Sequence, residues 1–284
     1  MSMCIYLRYL RLNRGVDCPK EDHPDPICTL RNLETLTVEL ASHYNLSYGI
    51  WRLKKLKHLE MMLCVTSKTI PPDTSGKDCL PNLQILQLVN VKGVIMSSIV
   101  NGRFSKLRKL GLEWNIKSKC TEHELLQGLH HLKNLEKLKL VDFKKLTLKA
   151  HEFPSKIPQI NIKMYDLDEL NFSYSFLNSL GELTSLCVLK VTSRGMFSED
   201  SLSLAAKSFP NLEVFHLKGM GVKEWILEKG AMSSLQHLII KDCNWDELSE
   251  LWSLTISTII LILILTEQEK HPYIASYFSL MYLS

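Results

Sequence analysis

The feature of this sequence that most restricts its fold is a short phrase, Leu-x-x-Leu-x-Leu, in which Ile, Val, Phe or Met sometimes replaces Leu. Ten copies begin at Leu7, Leu33, Leu56, Leu83, Leu107, Leu135, Leu167, Leu186, Leu212 and Leu235. Successive copies start 19 to 32 residues apart. An amphipathic helix would continue the apolar pattern at a spacing of 3.6 residues, whereas each phrase here stops after about six. The sequence therefore predicts a structural repeat.

Each phrase has the pattern of a strand with one buried face. Its fourth and sixth residues lie two apart, so in a strand both point to the same side, while the third and fifth point to the other. One such repeat cannot bury its apolar face alone, but stacked neighbours bury a continuous core. The predicted fold class is an α/β repeat, a leucine-rich-repeat solenoid. It has a curved parallel sheet on the concave face and mixed short helices and loops on the convex face.

The repeat region is predicted over residues 1–257, with about ten repeats. Residues 258–284 are interpreted as a degenerate last strand and an unassigned tail. The apolar run Ile256–Leu265 would place Ile260 and Ile262 at outward positions of that strand. It is too short to cross a bilayer, which needs about 20 apolar residues. A further near-match, Ile157–Ile162, is either a separate compressed repeat or a strand with an insertion.

Smaller features refine the prediction. Short convex helices are expected over Glu122–Leu132 and Asp200–Lys207. Trp51 and Trp225 precede strands and are expected in the convex core. Cys64, Asn115 and Cys243 lie three residues beyond the sixth position, where leucine-rich repeats use Asn or Cys to bond the backbone of the following turn.

Composition excludes several function classes. A net charge of +4 over 284 residues, with no concentrated basic stretch, does not indicate a nucleic-acid-binding protein. The eight cysteines include no C-x-x-C pair, and the first residues do not resemble a signal peptide. We therefore expect a reducing compartment and a cytoplasmic location, with peripheral membrane association as an option and no transmembrane span.

No catalytic, metal or cofactor site is predicted. The sequence has no G-x-S-x-G elbow and no Cys with an obvious His partner. His130 and His131 are adjacent and would point apart, and His151-Glu152 lacks the second histidine of H-E-x-x-H. We therefore expect a chain that is not an enzyme.

The outward third and fifth positions define the face of the sheet opposite the core, which we call the outer face. Its middle is rich in lysine, which would suit an acidic partner surface or simply keep the face soluble. Trp114 lies just beyond an outward position and would either anchor a partner or pack on a neighbouring turn. The predicted partner-binding residues are His58, Glu60, Lys109, Trp114, Lys137, Lys139, Glu169, Lys190 and His216.

Several longer phrases are more specific than the generic repeat: GIWRLKKLKHLEM from Gly49, LPNLQILQLVNV from Leu80, FPNLEVFHLKGM from Phe209, KEWILEKGAMSSLQHLIIKDC from Lys223 and ELWSL from Glu250. Over about residues 5 to 255 the chain resembles the repeat domain of plant intracellular immune receptors. The class has coiled-coil, nucleotide-binding and leucine-rich-repeat parts, and the late blight resistance proteins are its most similar members. The resemblance implies innate immunity by effector sensing and autoinhibitory docking to a nucleotide-binding domain. The implied partners are a pathogen effector, a host protein or that domain.

The chain departs from this family in having no G-x-x-x-x-G-K-[ST] phosphate loop and no polar cap before its first repeat. We therefore expect a fragment, a truncated gene product or a wrongly placed start. Two alternatives remain open. One is a substrate-recruiting leucine-rich-repeat subunit of a ubiquitin ligase, and the other is a non-functional truncated product.

Overall fold

The computed structural model describes residues 6–12, 26–39, 48–64, 80–89, 104–114, 128–143, 149–165, 175–193, 201–219, 224–241 and 260–264. The strands within these ranges are β1 Tyr9–Leu12, β2 Thr35–Val38, β3 His58–Cys64, β4 Ile85–Val89, β5 Lys109–Glu113, β6 Lys137–Val141, β7 Gln159–Met164, β8 Val188–Ser193, β9 Ser201–Leu204, β10 Val214–Lys218, β11 Glu224–Leu227, β12 His237–Lys241 and β13 Ile260–Ile264. The helix α1 spans Ser175–Gly181. Short 3-10 helices span Pro26–Thr29, Tyr48–Arg52, Leu129–His131 and Ala150–Glu152.

Eleven of these strands form one parallel sheet in the order β1-β2-β3-β4-β5-β6-β7-β8-β10-β12-β13. The phrases align without offset, since the third position of each faces the third position of the next, as in Tyr9 opposite Thr35 and Lys109 opposite Lys137. The two remaining strands, β9 and β11, form a separate parallel pair. The predicted stack of parallel strands is confirmed.

The apolar residues of the phrase build the core. At the fourth position in strands β2 to β12 of the main sheet, no side chain is more than 2% exposed: Leu36, Leu59, Leu86, Leu110, Leu138, Ile160, Leu189, Phe215 and Leu238. Burial alternates along β7, β8, β10 and β12. Each inward layer therefore packs between the layers of its two neighbours, as stacking repeats require.

A tight turn places the first leucine of each phrase. The amide of that residue donates to the carbonyl three residues earlier, as in Leu33 to Leu30 (3.0 Å) and Leu56 to Leu53 (2.9 Å). The same bond recurs before Leu83, Leu107, Leu135, Ile157, Leu186, Leu212 and Leu235. In all of these turns except the one before Leu33, the residue whose carbonyl accepts this hydrogen bond is also buried. The repeat unit is therefore longer than the six-residue phrase and includes this earlier position.

Ile157–Ile162 is a repeat in its own right. Its strand β7 pairs with β6 on one side and β8 on the other, with Gln159 opposite both Lys137 and Val188. This resolves the two readings left open by the sequence. The phrase that begins at Leu167 lies outside the described residues.

Side-chain hydrogen bonds link successive turns at a position that the sequence analysis did not identify. Asn82, Asn134 and Asn211 each immediately precede the first leucine of a phrase. Their Nδ2 groups donate to the main-chain oxygens of Lys54 (2.9 Å), Ser105 (2.7 Å) and Thr184 (2.7 Å) in the turn of the preceding repeat. The recurring Asn-Leu dipeptide was the available sequence signal. Of the positions predicted for this role, Asn115, Cys243 and the side chain of Cys64 lie outside the described residues.

The predicted helix over Asp200–Lys207 is wrong, because Ser201–Leu204 is strand β9, paired with β11. Leu202 and Leu204 are buried and lie two residues apart, which is the period of a strand. Most of the predicted Glu122–Leu132 helix lies outside the described residues; its last part contains the 3-10 helix Leu129–His131.

Trp51 lies in the core as expected. It is 2% exposed, and its ring centroid lies 6.3 Å from that of Phe104. The side chain of Trp225 lies outside the described residues.

The last strand, β13, extends the main sheet beyond β12. Ile260 and Ile262 occupy the register positions opposite His237 and Ile239. No helix in the described ranges is long and apolar enough to cross a membrane.

We expect Leu138→Ala to lower the free energy of unfolding by about 2–5 kcal/mol, because it leaves a cavity in a fully buried layer in the middle of the sheet. Urea denaturation followed by circular dichroism measures the change. Lys133→Ala, on the exposed turn before the same strand, is the matched control and should change stability by less than about 0.5 kcal/mol. Equal effects of the two substitutions would contradict the assigned core.

We expect Asn134→Ala to cost about 0.5–1.5 kcal/mol, because the Ser105 carbonyl loses its side-chain donor. Asn134→Asp is the informative comparison, since a carboxylate keeps the size of the side chain but cannot donate this bond. Both variants should destabilise in the same urea experiment. If Asp were tolerated like Asn, the inter-turn hydrogen bond would not be the stabilising element.

Candidate partner-binding face

The outer face is assembled by the register of the sheet. Third-position residues form one row across the strands, and fifth-position residues form a second. Across β5 to β10 the first row reads Lys109, Lys137, Gln159, Val188 and Val214, and the second reads Gly111, Lys139, Asn161, Lys190 and His216. Most of these side chains are half-buried, which is typical of a sheet face not covered by another element.

Most of the predicted partner-binding residues lie at outward positions of this face. Glu169 lies outside the described residues, and the repeat between β6 and β8 contributes Gln159 and Asn161 instead. The amide of Gln159 donates to the side-chain oxygen of Asn161 at 3.3 Å, so the two rows are linked there. Thr37, although at an outward position, is buried.

Four lysines form the centre of the outer face: Lys109, Lys137, Lys139 and Lys190, which we call the lysine cluster. Lys109 and Lys137 are directly opposite on β5 and β6, and Asn161 separates Lys139 from Lys190. Within the described ranges none of the four forms an ion pair. Burial, followed by the charges of Lys109, Lys190 and Lys139, lowers the pKa of Lys137. The cluster is therefore a positive region without an ion pair among the described residues.

Charges near the first repeats are arranged differently. Glu34 accepts from Lys57 at 2.7 Å and lies 3.8 Å from Arg8, and Arg11 pairs with Glu39 at 2.7 Å. The hydrogen bond from Lys57 is the main reason that the pKa of Glu34 is lowered. His58, a predicted site residue on β3, contacts the Thr35 hydroxyl through Nδ1 at 3.1 Å. Glu60 lies half-buried on the same strand. An equivalent ion pair joins Arg108 to Glu136 at 2.8 Å in the repeats of the lysine cluster, whereas the four outward lysines of the cluster lack a pair among the described residues.

The sequence analysis missed a third row, because several strands continue one residue beyond the phrase. Lys163 and Thr192 face each other on β7 and β8, and Lys218 and Lys241 do so on β10 and β12. Their seventh position has the same parity as the third and fifth. Lys218 is exposed, and the other three are half-buried. A lysine directly after the sixth residue was the signal that could have revealed this extension.

Trp114 packs on a neighbouring turn. Its ring centroid lies 5.8 Å from that of Phe143, and its main-chain amide donates to the Val141 carbonyl at 2.8 Å. The side chain is half-buried against the core. Trp114 therefore contributes to packing at the end of β5, with only part of its ring on the surface.

Two carboxyl groups lie beside this aromatic pair. Burial and the neighbouring Asp142 carboxylate raise the pKa of Glu113, while Lys139 opposes the shift. Oδ1 of Asp142 accepts a hydrogen bond from the main-chain amide of Tyr165, with an N–O distance of 2.5 Å. At this edge of the outer face, Glu113 is thus an acidic side chain close to Lys139 of the lysine cluster.

His216 is unusual among the outer-face residues. Its Nε2 atom is buried and has no hydrogen-bond partner within the described part of the chain. Burial, together with the charges of Lys190, Lys241 and Lys218, lowers the pKa of His216. Two further histidines, His130 and His131, are exposed, and their ring centroids lie 4.0 Å apart. In the described ranges no group of His, Cys, Asp and Glu is arranged to hold a metal ion.

Glu113→Gln should stabilise the protein at pH 7 by less than about 1 kcal/mol, since the half-exposed carboxylate is partly screened. A raised pKa means that ionised Glu113 opposes folding above its folded-state pKa and ceases to do so as pH falls toward 4.5. The difference between variant and wild type should therefore shrink over that interval in urea unfolding. Glu213→Gln, at an exposed position, is the control. Destabilisation by Glu113→Gln at pH 7 would contradict this account.

Comparison with known proteins supports the repeat assignment. A family model described as a leucine-rich repeat region matches residues 1–173. A probable disease resistance protein from Arabidopsis thaliana is 28% identical over 209 residues, which is 72% of this chain. The match covers 20% of that relative, so the chain spans about a fifth of its length. The matched family, the parallel sheet and the stacked turns together show that this chain belongs to the leucine-rich-repeat family.

Proposed function

We propose that this chain is the protein-recognition part of a plant innate immune receptor, and that its outer face binds an acidic protein surface. Two findings support the general role. The leucine-rich-repeat solenoid is typically a protein-interaction fold without catalysis, and the chain is similar to a disease resistance protein. The partner is a pathogen effector, a host protein or the nucleotide-binding domain of a parent receptor, and the site of action is the cytoplasm.

The lysine cluster is the observation that carries the choice of surface. Like charges on adjacent strands repel one another, and a half-buried ammonium such as Lys137 loses hydration without gaining an ion pair among the described residues. An acidic partner would relieve both costs at once. Complementary charge of this kind raises the association rate and selects partners more than it adds affinity.

The lysine cluster also distinguishes this surface from an ordinary solvated face. Several basic side chains of this sheet are paired, with Glu34 and Glu39 near the first repeats and with Glu136 beside the cluster, whereas the four cluster lysines form no ion pair among the described residues. We therefore assign partner recognition to β5 through β10, with Lys109, Lys137, Lys139 and Lys190 as the residues that contact the partner.

The test compares two double variants with the same change in charge. Lys137→Glu with Lys190→Glu reverses the cluster, whereas Lys133→Glu with Lys156→Glu alters exposed turns before β6 and β7. The tagged full chain and both variants are expressed in leaf tissue, and the proteins crosslinked to each are identified. Partners of the wild type should be kept by the turn variant and lost by the cluster variant.

Binding should also weaken steeply with salt, because the interaction is between exposed charges. Thermal melting of the purified variants checks that both remain folded. If the cluster variant retained the wild-type partners at the same yield, the outer face would not be the recognition surface. Proteins with an acidic surface should predominate among the partners that the cluster variant loses.

A further inference from the structure

We infer that His216 and Lys190 together receive one side-chain carboxylate of an acidic protein partner, and that His216 takes up a proton when this carboxylate binds. This inference rests on the proposed function, since it specifies how the acidic partner is held. It adds a defined anchor point and a dependence of binding on pH.

The first support is an unsatisfied polar atom. A buried nitrogen without a hydrogen bond costs free energy whichever tautomer the imidazole adopts, and such atoms are uncommon in folded proteins. Nε2 of His216 is in this state within the described chain. A ligand that bonds to Nε2 would remove the cost.

The second support is the surroundings of His216 on the outer face. Its register neighbours are Lys190 on β8 and Ile239 on β12. In the outer-face positions of the described strands β7, β8, β10 and β12 there is no Asp or Glu. The charged or titratable groups facing His216 are Lys190, Lys218 and Lys241, and His237 lies on the adjacent strand.

These surroundings favour a carboxylate over a neutral group. A carboxylate oxygen can accept from an imidazolium N–H, while its second oxygen accepts from the Lys190 ammonium. Nε2 is covered in the free protein, so a neighbouring side chain must turn aside to admit the ligand. Lys190 has a flexible four-carbon stem and can move without disturbing the strand.

The proton uptake follows from the charges. In the free protein, burial and three lysines lower the pKa of His216, so the ring is neutral at pH 7. A bound carboxylate places a negative charge beside the ring and raises its pKa. Between the free and bound pKa values the complex holds more protons than its components, so affinity increases as pH falls.

The experiment titrates the full chain with hexaglutamate by isothermal calorimetry at pH 7.5 and pH 5.8. Most glutamates of the peptide remain ionised at both values. A rise of half a unit in the His216 pKa on binding can increase affinity by at most about threefold, a limit reached only well below both pKa values. Repeating the titration in buffers of different ionisation enthalpy measures the proton uptake directly.

The variants separate His216 from its neighbours. His216→Asn should weaken binding at pH 7.5, because the carboxylate loses one partner, and should abolish both the gain at pH 5.8 and the proton uptake. His237→Asn, one strand away, should retain both and serves as the matched control. Lys190→Gln should weaken binding at both pH values. It also provides a second test if His216→Asn does not melt cooperatively.

The outcomes distinguish the two levels of the proposal. Binding of hexaglutamate that depends on the lysine cluster but not on pH overturns the role of His216 and leaves the proposed function standing. Failure of hexaglutamate to bind at either pH, with tight binding of oligouridine RNA instead, overturns both. A pH dependence that survives His216→Asn and disappears in His237→Asn also contradicts the inference.

Discussion

The rest of this structure depends on one constraint, which is that each strand can bury its apolar face only against the strands beside it. Leu138, Ile160 and Leu189 lie at equivalent positions on three successive strands, and none is exposed. Because each inner layer packs between its two neighbours, the continuous core is built from contacts between adjacent repeats. The tight turn before the phrase keeps those layers in register, because it places the first leucine at the equivalent position of each repeat.

That regular scaffold leaves one face of the sheet free to vary. The fourth and sixth positions are held to apolar residues by packing, whereas most side chains at the third, fifth and seventh positions are half-buried or exposed, with Thr37 and Val141 as buried exceptions. Sequence change at the outward positions therefore alters charge and hydrogen bonding at little cost to stability. The outward positions carry the Arg11–Glu39 ion pair near β1 and, from β5 onward, a lysine cluster without ion pairs among the described residues. The chemical identity of the surface thus changes along the solenoid although the backbone repeats.

Much of the fold could be predicted because the period of a strand is local. The spacing of Leu110 and Leu112 indicates their common face without knowledge of any contact. Prediction was wrong at Ser201–Leu204, where a short stretch with two leucines fits either a helix or a strand, and pairing with β11 settled the choice. The candidate site was partly predictable. The outward positions of Lys137 and Lys190 followed from parity, whereas Lys163, Lys218 and Lys241 depended on how far each strand extends.

The sequence by itself determined the repeat, the inward and outward residues and the position of the lysines, because these depend on spacing within a few residues. Only the tertiary structure decided that Ile157–Ile162 is a strand of the main sheet, since the evidence is its pairing with both β6 and β8. It also decided that Asn134 bonds the preceding turn and that Nε2 of His216 lacks a partner. These properties depend on which residues of different repeats are brought together, and that proximity arises only when the repeats stack.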